Sequence, residues 1–430
     1  MRSLAWFAVF AVAVVGPLTA AWFARSAAWR DFPTGFGAAL GWIAFGLFAV
    51  EFALVSRVRA AAAAFGSDAL LLFHRAMALA ALAFVVAHVA LLAPSLPNPL
   101  AAAPLERSGA IALWAAVLLI VSSVWRRKLG WSYELWLAAH RALAVTIVVS
   151  MAWHVWILLE PEQRSGKLAV LAYAALALAA LLVQRIVRPL LQLRRPWELV
   201  ENRDEGASTR TLVLRAVGHD GLRFAPGQFV WLSTGRRGLC APEHPITVAS
   251  SPELEGGRTI ELAIKALGDW SRDVVPALQP GARLRIDGPF GAFTPDGVPA
   301  QQLVLIAGGV GVTPMRSILL AMRDRCDRRA VTLFFAAHSR ARAMFAAEFE
   351  RLRDDLNLEL VFVFEAPEDG TAVERGFLTA EILRRHLPAD LRFAQFFVCG
   401  PAPMMDAVDR VLTELGVRSS QVRTERFDLV

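Results

Sequence analysis

Hydrophobic and polar positions divide the chain into two halves. Over residues 1–190 long runs of Ala, Leu, Val and Trp recur, with polar residues gathered between them. Each run is long enough to cross a hydrocarbon core of roughly 30 Å as a helix. The runs predict six spans, at about 4–24, 36–56, 69–93, 108–125, 134–159 and 167–187, with a Pro/Asn-rich loop at 94–104. The first run follows Met1-Arg2-Ser3 and also fits a signal peptide; a retained span is the reading adopted. At Pro196 the pattern changes to short alternating runs bounded by Gly and Pro, at 211–215, 228–232, 260–265 and 283–287, which predict a small antiparallel β-barrel. Beyond residue 300, apolar strands at 302–307 and 331–337 and another ending at Cys399 alternate with helical segments, as in a parallel sheet. The expected architecture is a membrane α-helical bundle of six spans (1–195), an antiparallel β-barrel domain (196–298) and an α/β parallel-sheet domain (299–430).

Charge orients this arrangement. Ten basic residues, Arg2, Arg57, Arg59, Arg126, Arg127, Lys128, Arg185, Arg188, Arg194 and Arg195, flank one set of span ends, against five, Arg25, Arg30, Arg107, Arg164 and Lys167, at the other. The positive-inside rule puts the first set in the cytoplasm, so both termini are expected there, in a multi-pass protein of the cell's inner (plasma) membrane. These arginines account for most of the net charge of +7. No basic face with interleaved aromatics appears, so nucleic acid is not an expected partner, and no obligatory protein partner is evident. The three cysteines, Cys240, Cys326 and Cys399, lie far apart, which excludes a disulfide framework, a zinc site or an iron–sulfur cluster built on this chain.

The chemistry begins with four of the eight histidines. His74 and His88 lie in the third span, His140 and His154 in the fifth, and both pairs read His-x13-His. Fourteen helical steps rise about 21 Å in just under four turns, so each pair projects from nearly one face at two depths. Two such helices side by side build two stacked sites of facing imidazoles, as two bis-histidyl haems b require. A lone intramembrane histidine is often a hydrogen-bonded structural residue; four at one repeated spacing point to metal ligation. With the third and fifth spans both running outward, His74 and His140 share the inner site and His88 and His154 the outer. Arg75 and Arg141 follow the inner histidines and suit either haem propionates or anchoring at the cytoplasmic face.

The second half carries five further motifs. His244-Pro245-Ile246-Thr247 sets a hydroxyl and backbone amides along one strand. Lys265-Ala266-Leu267-Gly268-Asp269-Trp270-Ser271 reads as a strand end, a turn and a helix start, whose amides suit a pyrophosphate. Gly308-Gly309-Val310-Gly311-Val312-Thr313-Pro314 follows a strand and opens a helix, a phosphate loop in which Pro314 stands where a strict dinucleotide fingerprint has a third glycine. His338-Ser339-Arg340-Ala341-Arg342 follows the next strand without an acidic residue, which favours a 2′-phosphate and so NADPH, with NADH possible. Cys399-Gly400-Pro401 ends a later strand, and Phe427 lies near the C-terminus.

In content and order these residues resemble the ferric reductase and NADPH oxidase superfamily, over nearly the whole chain. Gly288, Pro289 and Gly291 of the Asp287-Gly288-Pro289-Phe290-Gly291 stretch belong to the same resemblance. It implies that His244, Pro245, Ile246 and Thr247 line FAD, with Thr247 near its reactive nitrogen, and that Gly268, Asp269, Trp270 and Ser271 hold its pyrophosphate. It further implies that Gly308, Gly309, Gly311, Thr313 and Pro314 hold the nicotinamide cofactor's pyrophosphate, that Cys399 sits by the nicotinamide, and that Phe427 stacks on the flavin. Ile246 replaces the family's usual Phe, and Asp428-Leu429-Val430 follow the aromatic that is often terminal. The expected activity is electron transfer from cytoplasmic NADPH through FAD and two haems b to an acceptor outside: dioxygen giving superoxide, or alternatively a ferric chelate. A cytochrome that draws its electrons from a partner is disfavoured by the fused nucleotide motifs, and a merely anchored reductase by the histidine pairs.

Overall fold

The computed structural model describes residues 2–23, 32–57, 65–92, 104–126, 128–159, 161, 163–234, 241–367, 373–388 and 390–427. Most of the expected 94–104 loop, with Arg25, Arg30, Asp31, Arg59, Arg127, Glu160, Glu162, Cys240 and the last three residues, lies outside them. Two compact units form, one of Met1–Phe65 with Ala69–Val187 and the other chiefly of Arg188–Val430.

The first unit contains α1 (Arg2–Phe23), α2 (Phe32–Leu54), α3 (Ser67–Leu92), α4 (Pro104–Val124), α5 (Tyr133–Leu158) and α6 (Arg164–Leu182). All six are long and apolar enough to cross a membrane. A helix satisfies every backbone hydrogen bond internally, which hydrocarbon demands. Small residues let the helices approach: a Cβ on Gly46 of α2 would run into the Val14 carbonyl of α1. Large apolar side chains such as Leu4, Trp114, Trp153 and Leu168 face outward, as lipid contact requires. α5 begins at Ser132, whose hydroxyl accepts the Leu135 amide at 3.3 Å. After α6 a π-helical turn, Val183–Val187, leads to α7 (Arg188–Leu193). The compact division falls between Val187 and Arg188 rather than at the expected 195, because α7 packs on the barrel and Arg188 pairs with Asp287 at 3.5 Å.

In the second unit, β1 (Trp197–Gly206), β2 (Thr209–Ala216), β3 (Phe229–Ser233), β4 (His244–Thr247), β5 (Thr259–Lys265) and β6 (Arg283–Phe290) form an antiparallel sheet in the order β4-β3-β6-β1-β2-β5. It closes on itself through the Val248–Leu262 bridge and the Ala249 amide, which donates to Glu261 O at 2.8 Å. Leu199, Leu212, Leu214, Val230, Leu232 and Leu262 fill the interior.

The parallel sheet contains β7 (Gln302–Gly308), β8 (Ala330–Ala337), β9 (Leu358–Phe364), β10 (Glu374–Arg375), β11 (Ala394–Cys399) and β12 (Val422–Glu425), in the order β10-β9-β8-β7-β11-β12. Successive side chains of β7 feed opposite faces. Leu303 and Leu305 pack with α8 (Val312–Asp324) and α9 (Ala346–Asp355), while Val304 and Ile306 pack with α10 (Ala380–His386) and α11 (Ala402–Glu414). The chain runs outward from β7 to β10, then returns to β11 on the other side of β7. That reversal opens a crevice at the carboxyl ends of β7 and β11, where open α/β sheets bind their ligands.

Candidate functional site

In the first unit, the imidazoles of His74 and His140 face each other with ring centres 6.4 Å apart, and those of His88 and His154 do the same at 6.4 Å. Two imidazole nitrogens bound to one iron at about 2.0 Å, each roughly 1.1 Å from its ring centre, set ring centres about 6.2 Å apart. Both pairs match that spacing. Among the described residues α3 makes no extensive backbone packing with another helix and meets α5 through these rings.

Each ring is also fixed in the same sense. His74 Nδ1 is bonded to the Glu51 carboxylate, and His88 Nδ1 donates to the Gly37 carbonyl at 2.8 Å. Ser123 donates its own proton to Leu119 O at 2.7 Å, so its oxygen accepts from His140 Nδ1 at 3.2 Å. His154 Nδ1 lies 3.4 Å from Ser108 Oγ. With all four Nδ1 atoms engaged, Nε2 is the atom each ring would offer a metal, the arrangement by which outer partners fix a metal-binding histidine. At the His88–His154 pair glycines make the room: a Cβ on Gly41 would stand 2.7 Å from His88 Nδ1, and one on Gly109 2.9 Å from His154 Cε1. Sequence reasoning missed Glu51, Gly37, Gly41, Ser108, Gly109 and Ser123. For Glu51 a signal was present, a lone carboxylate within an apolar span. Arg75 is exposed and Arg141 half-buried.

In the second unit, pairing brings the flavin and nicotinamide motifs together. Thr247 pairs with Phe229, which pairs with Phe290 and contacts the Gly291 turn. Glu425 approaches the same turn, and Glu425 pairs with Cys399 at the end of β11, so Phe427 follows on the same edge, 38% exposed. The Thr247 hydroxyl is buried and has no hydrogen-bond partner among the described residues, as a group awaiting a ligand atom would be. The His244 ring stacks on Trp270 at 3.8 Å and 15°. The 268–271 stretch departs from expectation. Only a five-residue π-helical turn, Trp270–Val274, follows it, and the Leu267 and Gly268 amides donate to Ser271 Oγ at 2.9 and 3.0 Å. Those two amides are therefore engaged within the turn, and the hydroxyl that holds them is what shapes it. Asp269 is exposed beside Arg272.

The loop of residues 308–314 sits at the sheet reversal. Gly308, Gly311 and Gly400 lie where β7 and β11 meet: a Cβ on Gly308 would stand 2.8 Å from Pro401 Cδ, and one on Gly311 would run into the Cys399 carbonyl. The Lys265 ammonium lies 3.8 Å from the Cβ position of Gly309. Thr313 is buried, donating to Val310 O at 3.0 Å, and Pro314 lies within α8. Arg316 of α8 ties the two sheets together: its guanidinium donates to Glu348 at 2.6 and 3.0 Å, to Glu261 of β5 at 2.6 Å and to Ala249 O at 3.0 Å. Burial pulls the Arg316 pKa down, but the Glu348 and Glu261 carboxylates outweigh it and hold the group above its ordinary value. At the end of β8, Ser339 precedes Arg340, which forms a two-pronged pair with Glu350 at 2.5 and 2.7 Å. The hydrogen bonds from Arg340 hold the Glu350 carboxyl below its ordinary range.

Three family models match in succession: a ferric reductase like transmembrane component over residues 40–151, an FAD-binding domain over 209–294 and an oxidoreductase NAD-binding domain over 305–410. The chain is 32% identical over 181 residues to NADH-cytochrome b5 reductase 1 of Aspergillus terreus, covering 40% of this chain and 60% of that protein. It is 30% identical over 160 residues to one component of the Na(+)-translocating NADH-quinone reductase of Yersinia enterocolitica, covering 35% of this chain and 38% of that one. The chain thus spans less than two thirds of the length of either relative. Among solved structures, flavohemoglobin from Malassezia yamatoensis is similar with a TM-score of 0.52 at 18% identity, over 91% of this chain and 96% of that one, a likeness of fold.

Proposed function

We propose that this chain, whose matched domains stand in the ferric reductase/NADPH oxidase-like order, is a membrane oxidoreductase that moves electrons from NADPH or NADH to dioxygen, giving superoxide. The observation that carries the reading is the pair of opposed imidazoles at 6.4 Å in each of two sites, every Nδ1 engaged elsewhere. When bound, FAD accepts a hydride and the haems b relay single electrons. The chain's own residues do the positioning. Thr247 offers its hydroxyl to the flavin, and Cys399 and Phe427 border the nicotinamide from the end of the parallel sheet. Gly308, Gly309 and Gly311 admit the pyrophosphate, with the Lys265 charge beside them. His74 with His140, and His88 with His154, hold the inner and outer haems. Ser339 and Arg340 lie where an adenosine ribose would sit, so NADPH is the preferred donor and NADH a second.

The distribution of basic residues supports both termini in the cytoplasm and a place in the inner (plasma) membrane. A potential negative inside then assists each outward electron by about 2.3 kcal/mol per 100 mV. Lipid and the acceptor are the partners this requires. A ferric chelate is the second reading, favoured by the equal thirteen-residue gap in α3 and α5, which resembles the ferric reductases. The outer segments hold acidic residues but no His, Cys or Met to cluster round a metal, which supports dioxygen. The test is NADPH-driven reduction of cytochrome c by the purified protein. Abolition by superoxide dismutase supports the oxidase; insensitivity, with fast anaerobic reduction of ferric citrate, replaces it with the ferric reductase.

A further inference from the structure

Glu51 lies in α2, inside a window otherwise without charge, and is 6% exposed. A carboxylate at that depth is costly and by default points to function. One of its oxygens is bonded to His74 Nδ1, and the other has no hydrogen-bond partner among the described residues. The acceptors at the other three histidines are uncharged: a backbone carbonyl at His88 and serine hydroxyls at His140 and His154. A ligating Nε2 leaves the proton on Nδ1, so His74 Nδ1–H donates the hydrogen bond and the Glu51 carboxylate accepts it. A carboxylate acceptor pushes electron density onto the imidazole more strongly than a neutral one and raises its basicity as a ligand.

We propose that Glu51 is a positioning residue that, through His74, lowers the reduction potential of the inner haem below that of the outer. The inference rests on the haem reading above. A more basic ligand stabilises ferric over ferrous iron, so each electron arriving from the flavin side meets the weaker acceptor first and moves on to the stronger. No proton or bond changes hands in the relay; one ferrous iron is oxidised as the next ferric iron is reduced. The asymmetry belongs to this chain's side chains and would make outward transfer downhill even without a membrane potential.

The experiment is a spectroelectrochemical titration of the full-length protein with haem content measured in parallel. Glu51→Gln keeps the shape and removes the charge. It should retain two haems and weaken the inner site's preference for ferric iron about tenfold, a rise of about 59 mV for one electron, with the outer midpoint unchanged. Glu51→Asp should recover part of the shift. His88→Leu, expected to hold only the inner haem, assigns the lower midpoint. Should Glu51→Gln fail to fold, the wild-type midpoints decide: an inner haem equal to or above the outer one overturns the proposal. So does a Glu51→Gln protein with two haems and unmoved midpoints, or with both moved alike. Wild-type protein that binds no haem refutes the haem reading itself, a result separable from any of these.

Discussion

Gly41→Ala adds one carbon where the outer site has least room. That carbon would stand 2.7 Å from His88 Nδ1 and 2.8 Å from His88 Cε1, well inside the roughly 3.5–4.0 Å at which non-bonded atoms attract. The ring cannot simply retreat. Its Nδ1 is tied to Gly37 O at 2.8 Å, and its far side faces His154 at 6.4 Å between ring centres, already the spacing an iron needs. Relief therefore comes from tilting His88 off axis or pushing α2 from α3. Overpacking of this kind costs about 1–3 kcal/mol, so affinity for the outer haem should fall roughly 5- to 150-fold. The inner pair lies about 21 Å away along the helix and should be untouched. The assay is haem per chain with a reduced-minus-oxidised spectrum: the variant should show one haem at full occupancy and the other depleted or shifted. Two haems at wild-type occupancy, with unchanged spectra and midpoints, would refute the placement of His88 as an axial ligand.

Other substitutions probe the second unit. Thr247→Val keeps the shape and removes the hydroxyl; loss of one net hydrogen bond of about 0.5–1.5 kcal/mol predicts flavin affinity weaker by about 2- to 13-fold, read by fluorescence on removal of FAD. Gly311→Ala would push against the Cys399 carbonyl, backbone that cannot swing aside, so KM for NADPH should rise with flavin content unchanged. Arg316→Met removes the buried cation that Glu348 and Glu261 share, leaving Glu261 only Arg203 at 3.7 Å; breaking a buried pair costs about 3–5 kcal/mol, which differential scanning of the full-length protein would register as a lower Tm for the flavin-bearing unit. Glu350→Gln removes the carboxylate that shares the Arg340 charge, and the NADPH-to-NADH ratio of kcat/KM should rise; because Arg340 lowers the Glu350 pKa, that carboxylate stays charged through neutral pH and the wild-type ratio should be flat between about pH 6 and 8.

Much of the fold was legible because lipid and sheet geometry leave few options. An apolar run of twenty or so residues has one use, and all six spans were found with ends shifted by a few residues. Period-2 alternation marked 211–215, 260–265 and 283–287, which became β2, β5 and β6 at greater length. The runs grew because barrel closure recruits flanking residues, such as Thr209 opposite Lys265, whose place depends on the partner strand and not on their own pattern. The division at Arg188 was hidden for a related reason. Apolar sequence runs to Leu193, and it is the packing of α7 on β6, with Arg188 3.5 Å from Asp287, that assigns α7 to the second unit. The 268–271 turn misled because Ser271 reads as a helix start, whereas its hydroxyl closes back on the Leu267 and Gly268 amides.

The candidate site splits along the same line. The histidine pairs could be read because both members of each sit on one helix, and helical spacing is a property of the sequence alone. What sets the two pairs apart was not readable, since it is supplied across helices: Glu51 and Gly37 come from α2, Ser123 and Ser108 from α4. From sequence the two pairs look alike, with the same histidines at the same interval. Packing makes them unlike, with a carboxylate at His74, glycines crowding the outer rings, and hydroxyls at His140 and His154. On the haem reading proposed above, donor and acceptor set the overall direction of electron flow. The difference between the two pairs comes from helix packing, through the partners that α2 and α4 bring to each Nδ1.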